Sequence, residues 1–396
     1  MNIAFVTTYD AQDIINWSGL GYHISKSLES SGNKLQYIGN LHTKVSPMNF
    51  IKKLVYPRLF NKGFPVDRTI STAKNYSAEV NKSLSGNNYD CIFSPGSIPI
   101  AYLETKVPKV FYTDATFACM LNYYKSMNNL SSEIIKQGHI LEKQALDSCS
   151  LAVYASEWAA QSAIKDYGTD PAKVKVAPFG ANLDRQYTKE EVESFINARG
   201  KFILKLLFNG VDWKRKGGDV VIAAVEEIKK RGIKVELHVV GIPNLPFSTV
   251  PDFIVNHGFL RKAVPNEKMQ LENLYKSCHF LFLPSEAEAF GIVFCEASSF
   301  GMPSVSRKTG GIPSVITDGR NGFTLNGNST ANDYADIICK YYLDNDKYIQ
   351  LARSSFDEFQ TRLNWNATGE LLSGYIREIQ NRGEWNGEKI ARLKRF

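Results

Sequence analysis

The feature that most constrains the fold is an alternation of short apolar runs with longer segments of helical period. In the first half, the apolar runs are NIAFVT, LQYIG, DCIFSP, KVFYT, LAVYA and KVKVAPFG. Apolar residues fill successive positions in these runs, which indicates strands that are buried on both faces. Such strands form parallel sheets covered by helices, so this half predicts a doubly wound, Rossmann-like α/β domain.

The same rhythm restarts after the polar segment NLDRQYTKEEVESFINARG, with further runs such as FILKLLFNG, VELHVVG and HFLFLP. A chain of 396 residues is too long for one ordinary core. We predict an N-terminal Rossmann-like domain over residues 1–187 and a second over residues 188–370. A helical tail over residues 371–396 is expected to pack back on the first domain. Two such domains facing each other form a cleft beyond the carboxyl ends of their strands, where ligands bind.

Charge and cysteine content exclude several classes of protein. The net charge of +7 suits an anionic small ligand or weak attraction to a membrane, and is too small for a dedicated nucleic-acid binder. The six cysteines show neither CxxC nor zinc spacing, which is typical of free thiols in a reducing cytosol. No signal peptide or apolar run of about 20 residues is visible. We expect a cytoplasmic protein, at most peripheral on the inner face of the membrane.

The stretch PSEAEAFGIVFCEASSFG follows a predicted strand and holds two acids, Glu288 and Glu296. Gly291 opens a helix between them, and a helix start offers free N–H groups and a positive dipole end to a phosphate. The two acids would then flank that phosphate and accept hydrogen bonds from sugar hydroxyls. The alternative is that Glu288 is an ordinary loop acid and Glu296 a solvated helix residue.

A second loop, LFNGVDWKRKGGD, also lies between a strand and a helix. Arg215 and Lys216 supply positive charge, which predicts a site for phosphate. The pair of glycines that follows lets a ligand approach the backbone closely. The order of residues is not that of a Walker A loop. A solvated basic turn is the alternative.

Two further positions belong to the first domain. Gly19 and Gly21 precede a helix but lack the third glycine of a dinucleotide fingerprint, which argues against hydride transfer. Asp114 directly follows the strand VFYT, where an acid can accept a proton from an acceptor hydroxyl. An N-cap for the next helix is the alternative role. In the second domain, Gly310 and Gly311 either leave room for a ligand or simply form a turn.

Taken together in this order, the motifs resemble those of the retaining glycosyltransferases of family 4, which have the GT-B fold. EAFGIVFCEA resembles the E-x7-E signature of that family, and DWKRKGGD resembles its diphosphate-binding lysine loop. GGIPSVITDGRNGF is similar to the glycine-rich stretch that follows the signature. YASEWAAQSAIKDYG with KVAPFGANLD resembles the segment before the interdomain linker. The resemblance covers the whole chain and is strongest from Val153 to Leu325.

This resemblance implies that the first domain binds the acceptor and the second a nucleotide diphosphate sugar. Glu288 would contact the donor sugar, Glu296 the ribose hydroxyls, and Lys216 the diphosphate. The other residues implied at the donor site are Gly19, Arg215, Phe259, Leu260, Phe290, Gly291, Ile292 and Val293. Two positions depart from the family pattern, which often has Arg at Val211 and His at Asp114. We expect Arg215 to replace the first charge, and Glu288, Lys216 and Asp114 to form the catalytic set.

The expected reaction is transfer of a hexose to an acceptor hydroxyl with retention, without a metal ion or other cofactor. The expected role is cell-surface glycan or glycolipid synthesis, with a glycan or lipid-linked acceptor and no nucleic acid. Basic, apolar segments at Asn49 to Phe64 and in the tail EKIARLKRF suggest peripheral membrane contact, or else a solvated helix and an ordinary tail. The alternatives for function are a GT-B nucleotide-sugar epimerase and a non-catalytic sugar-nucleotide-binding module.

Overall fold

A computed structural model describes the backbone of residues 1–393 and the side chains of residues 1–381. The tail segment EKIARLKRF therefore falls outside the described side chains. By backbone contacts the chain divides into two compact units. The first comprises Met1–Pro178 with the last helix, and the second comprises Phe179–Asn364.

The first unit is built on one parallel sheet. Its strands are β1 (Asn2–Val6), β2 (Lys34–Ile38), β3 (Cys91–Ser94), β4 (Lys109–Thr113), β5 (Leu151–Tyr154) and β6 (Val174–Val176). Its helices are α1 (Leu20–Ser30), α2 (Pro47–Phe60), α3 (Ile70–Leu84), α4 (Phe117–Met120), α5 (Ser132–Ser148) and α6 (Glu157–Lys165). The strand order is β2-β1-β3-β4-β5-β6, and all pairs are parallel.

The second unit repeats this plan. Its strands are β7 (Leu204–Asn209), β8 (Val235–Val240), β9 (Ile254–Asn256), β10 (Phe280–Leu283), β11 (Ser304–Arg307) and β12 (Gly322–Leu325). Its helices are α7 (Lys189–Ala198), α8 (Gly218–Lys230), α9 (Pro265–Ser277), α10 (Ile292–Ser299), α11 (Ile312–Val315), α12 (Ala331–Tyr342) and α13 (Asn345–Thr361). The strand order is β12-β11-β10-β7-β8-β9, again all parallel.

Burial explains why the apolar runs became central strands. Every residue of β3, β5 and β10 is buried, because helices cover both faces of each sheet. The edge strand β2 instead alternates between exposed and half-buried residues, as expected where one face meets solvent. The prediction of two doubly wound domains is confirmed.

The last helix, α14 (Trp365–Leu393), belongs to the first unit. The Thr368 hydroxyl donates to the Pro178 carbonyl at 2.7 Å, and the Tyr375 hydroxyl donates to the Val176 carbonyl at 3.1 Å. His23 of α1 stacks on the Trp365 ring with centroids 5.7 Å apart. The units divide at 178/179 and 364/365, which is nine and six residues before the predicted boundaries at 187/188 and 370/371.

Two features noted in the sequence have simple structural descriptions. All six cysteines are free thiols, and all except the half-buried Cys119 are buried. Within the described part of the chain, none of the helices combines the length and apolar character needed to cross a bilayer.

Candidate functional site

The topology of the second unit places two of the predicted loops side by side. Strands are added in one direction from β7 to β9, and then β10 pairs on the other side of β7. This reversal is a topological switch point, where open α/β sheets bind ligands beyond the carboxyl ends of the strands. The lysine loop follows β7 and the loop with Glu288 follows β10, so both lie at this point.

The lysine loop is fixed by its own packing. Trp213 is buried against Phe208, with ring centroids 5.2 Å apart, and its indole N–H donates to the Asp219 carboxylate at 2.7 Å. Gly217 has φ +76° and starts α8, and any Cβ there would overlap the Pro284 carbonyl. Glycine is therefore required where this loop meets the loop after β10.

At the centre of the site, the Lys216 ammonium forms an ion pair with the Glu288 carboxylate. Only 8% of Lys216 is exposed, and the Arg215 guanidinium lies 3.6 Å from the same carboxylate oxygen. A buried ammonium needs such a partner, because leaving it unpaired costs several kcal/mol. The Asp212 carboxylate also lies 3.9 Å from the Arg215 guanidinium, so two cations and two carboxylates meet here before any ligand binds. Sequence reasoning predicted Lys216, Arg215 and Glu288, but not that they contact one another.

Backbone hydrogen bonds hold the surrounding loops together. The Glu286 N–H donates to the Arg215 carbonyl at 2.7 Å, and the Arg215 guanidinium donates to the Ala287 carbonyl at 2.9 Å. The Gly311 N–H donates to the Glu288 carbonyl at 3.0 Å. A Cβ at Gly311 would overlap the Ala289 carbonyl, so this glycine serves close packing between loops.

Helix α10 starts beside this cluster. Gly291 precedes it with φ +97°, a conformation that favours glycine. The N–H groups of Ile292 and Val293 belong to the first turn, which has no acceptors within the helix. Phe290 is buried against Phe179, with centroids 5.2 Å apart, so its side chain fixes the loop. Only the backbone of Phe290 is therefore available for the predicted contact with the donor.

Glu296 is not the solvated residue that the alternative interpretation required. It is 4% exposed, and the Tyr275 hydroxyl donates to its Oε2 at 3.1 Å while the Lys262 ammonium pairs with its Oε1. The Asn209 amide donates to the Tyr275 hydroxyl at 2.9 Å. Burial, followed by the nearby Glu296 carboxylate, raises the pKa of Tyr275, which keeps the phenol protonated as a donor.

Arg199 positions the two helices that carry these groups. It lies in the segment that the sequence indicated as a polar break, yet it is 5% exposed. Its guanidinium donates to the carbonyls of Tyr275 and Lys276 near the end of α9, and to those of Phe300 and Gly301 after α10. Sequence reasoning missed Arg199, Lys262, Tyr275 and Asn209. Asn209 lies within the quoted stretch LFNGVDWKRKGGD, and Lys262 lies just after Phe259 and Leu260, but neither was singled out.

The remaining predicted residues lie on loops other than the two that carry Lys216 and Glu288. Phe259 is exposed and Leu260 half-buried in the loop after β9. Gly19, with φ +81°, directly precedes α1 in the first unit. Asp114 directly follows β4, but the N-cap of α4 is Thr116, whose hydroxyl accepts from the Cys119 N–H at 3.1 Å. The alternative role of Asp114 as the N-cap is therefore wrong.

Two cavities of the second unit contain none of the predicted site residues. They measure about 970 and 270 Å³ and are lined mainly by α13 and its neighbours. Within the described part of the chain, no group of three or more His, Cys, Asp or Glu could hold a metal ion. The positive charges at the site described here are those of Lys216, Arg215 and Lys262.

Comparison with known proteins covers the part of the chain that contains this site. Residues 190–356 match the family described as Glycosyl transferases group 1. A D-inositol 3-phosphate glycosyltransferase of Corynebacterium jeikeium is 26% identical over 298 residues, which are 72% of this chain and 70% of that protein. Such curated relatives are matched over about two thirds of their length.

Solved structures share the fold. Sucrose-phosphate synthase from Thermosynechococcus elongatus superposes with a TM-score of 0.67 at 14% identity, covering 96% of this chain and 99% of that one. Anabaena HepE, solved in complex with UDP and glucose, has a TM-score of 0.59 at 16% identity, covering 95% and 99%.

The family match, the curated relatives and the fold together indicate a GT-B glycosyltransferase that takes its sugar from a nucleotide-sugar donor. Residues 190–356, which lie in the second unit, are a segment of the glycosyl transferase group 1 family, GT4. The predictions of the family, the fold class and the enzyme class are confirmed.

Proposed function

We propose that the enzyme transfers a hexose from a nucleotide diphosphate sugar to an acceptor hydroxyl, with retention at the anomeric carbon. The observation that carries this proposal is the Lys216–Glu288–Arg215 cluster beside the start of α10, at the switch point of the second sheet. Two cations and a helix N-terminus suit a diphosphate, and a carboxylate suits the hydroxyls of the attached sugar. Because HepE was solved with UDP, UDP-sugars are the first donors to test.

The costly step is cleavage of the bond between the anomeric carbon and the diphosphate oxygen. Negative charge grows on the leaving diphosphate, and Lys216, Arg215 and the first-turn N–H groups of α10 stabilise it. Such preorganised donors contribute about 3–4 kcal/mol each to lowering the barrier. The acceptor oxygen bonds to the anomeric carbon on the same face, and its proton passes to the leaving phosphate. No nucleophilic side chain is needed in this scheme.

Glu288 and Glu296 have separate roles in the proposed complex. Glu288 holds Lys216 in place before the donor binds and accepts hydrogen bonds from the sugar. Glu296 accepts from the ribose hydroxyls, and Tyr275 fixes the orientation of its carboxylate. Asp114, at the carboxyl end of β4, was expected to take the proton of the acceptor hydroxyl; in this scheme it instead accepts a hydrogen bond that orients that hydroxyl.

Metal independence is part of the proposal, because Lys216 and Arg215 already supply positive charge for the diphosphate. We expect full activity in EDTA, whereas loss of activity that manganese restores would contradict this. The acceptor is proposed to be a cell-surface glycan or lipid-linked sugar, reached by a peripheral enzyme at the inner face of the membrane.

The decisive test is product analysis with a panel of nucleotide sugars and acceptors. We expect nucleotide diphosphate to be released only with acceptor, and proton NMR to show the donor's anomeric configuration in the product. Release without acceptor, accompanied by an altered sugar, would indicate an epimerase. Donor binding without turnover across the panel would indicate a non-catalytic binding module.

A further inference from the structure

Helix α2 carries an apolar face that points away from the protein. Six of the seventeen exposed large apolar side chains among the described residues lie on this one helix: Met48, Phe50, Ile51, Leu54, Leu59 and Phe60. Scattered exposed apolar residues are normal on a protein surface, but a contiguous group marks an interaction site. At 100° per residue, Phe50, Ile51 and Leu54 fall on one side of the helix, whereas Met48, Leu59 and Phe60 project in other directions near its two ends.

The opposite side of α2 is fixed to the protein, so its orientation is determined. Asn49 is buried and its amide donates to the Ser71 hydroxyl at 2.9 Å. The Lys52 ammonium pairs with the Glu133 carboxylate at 2.7 Å, and the Tyr56 ring stacks on Phe64. These contacts hold the apolar side toward solvent.

The sequence segment that contains this helix carries charge of one sign. From Ser30 to Val66 the sequence contains no acidic residue. Its basic residues are Lys34, Lys44, Lys52, Lys53, Arg58 and Lys62. Lys53 and Arg58 are exposed on α2 itself. We call Phe50, Ile51 and Leu54, together with Lys53 and Arg58, the α2 surface.

The α2 surface lies at the carboxyl edge of the first sheet. Lys52 pairs with Glu133 in the first turn of α5, and Gly63 forms a parallel bridge with Leu130 just before that helix. Tyr56 packs in a small core that includes Phe117, the first residue of α4. Because α4 begins three residues after Asp114, helix α2 belongs to the same end of the unit as that acid.

We propose that the α2 surface docks on an anionic phospholipid bilayer. Apolar side chains enter the boundary between headgroups and acyl chains, while lysine and arginine contact lipid phosphates. Symmetric pairing with a second copy is disfavoured, because it would bring cations of the same sign together. The inference deepens the proposed function by naming the surface from which a lipid-linked acceptor is supplied. Vesicle binding requires no turnover, so the two proposals can fail separately.

The test is flotation of the full chain with neutral phosphatidylcholine vesicles, and with vesicles containing roughly 30% phosphatidylglycerol. We expect binding to the anionic vesicles that weakens with salt. Lys53→Gln with Arg58→Gln should reduce the partition coefficient about thirtyfold, and Ile51→Ser with Leu54→Ser at least about tenfold. Circular dichroism and nucleotide titration should show that both variants remain folded and bind donor normally.

Matched controls separate this surface from general charge and hydrophobicity. Lys82→Gln with Lys106→Gln removes two exposed cations before β3 and β4, at the amino edge of the same sheet. Phe202→Ser with Leu343→Ser removes two exposed apolar groups of the second unit. Binding should be unchanged in both controls. Equal loss in the controls, equal binding to neutral vesicles, or a dimer that the α2 variants abolish without any vesicle binding would overturn the proposal.

Discussion

Lys216 has a structural role as the partner of Glu288 and a proposed catalytic role as a cation for the diphosphate. Substitutions at both positions of the ion pair can separate these two roles. Lys216→Met keeps the aliphatic part of the side chain, which lies against Gly210, and removes the charge. If Lys216 stabilises the leaving diphosphate, kcat/KM should fall about 100- to 1000-fold. Lys214→Met is the matched control, because Lys214 is exposed in the same loop.

The expected change in stability follows from what surrounds Glu288. Breaking a fully buried ion pair costs about 3–5 kcal/mol. Here Arg215 remains 3.6 Å from the carboxylate, and 15% of the Glu288 side chain is exposed. We therefore expect Lys216→Met to lower the free energy of unfolding of its unit by only about 1–3 kcal/mol. Adding Glu288→Gln removes the unpaired charge and should restore most of that loss.

Urea unfolding and steady-state kinetics of the two single variants, the double variant and Lys214→Met complete the test. The double variant should regain stability without regaining activity, because the cation for the diphosphate is still missing. The control should stay within about 0.5 kcal/mol and threefold of the unmodified enzyme. Recovery of activity together with stability would refute the reasoning, as would kcat/KM of Lys216→Met within threefold of the unmodified enzyme.

Three further predictions concern groups around the two sheets. Burial raises the pKa of Glu142 to about 7, so the stability that the neutral carboxyl provides is lost as pH rises from about 4.5 through 7. Glu142→Gln should therefore gain up to about 3 kcal/mol over the unmodified protein between pH 5 and 8, and a constant difference would contradict this. Tyr275→Phe should weaken nucleotide binding about tenfold by calorimetry, since Glu296 loses a donor, and an unchanged Kd would exclude the positioning role. Gly311→Ala should cost about 1–3 kcal/mol in thermal unfolding, whereas Gly327→Ala, which meets no neighbouring atom, should cost less than about 0.5, and equal costs would contradict the packing argument.

The sequence allowed the sheets and the two chemistry-bearing loops to be predicted. Apolar runs identify buried strands because burial on both faces leaves a continuous apolar signal. The loops with Lys216 and Glu288 could be placed because each follows such a strand. That the loops are neighbours depends on β10 pairing with β7, which the order of elements along the chain does not reveal.

The residues that complete the site could not be predicted for a related reason. Tyr275 lies on α9 among ordinary helix-forming residues, and its contact with Glu296 arises only when α9 packs near α10. Arg199 lies in a polar segment that is typical of a linker. Four carbonyls from distant parts of the chain accept hydrogen bonds from its guanidinium, and the local sequence does not reveal them. Helix α2 was noted for its basic, apolar composition, but only the structure shows which side faces outward.

The most direct test of the central claim is a crystal structure with nucleotide diphosphate bound. The account predicts that the terminal phosphate lies within hydrogen-bonding distance of the Lys216 ammonium and the first-turn N–H groups of α10, and that Lys216 is shared between phosphate and Glu288. A diphosphate bound elsewhere, with the Lys216–Glu288 pair unchanged, would contradict it.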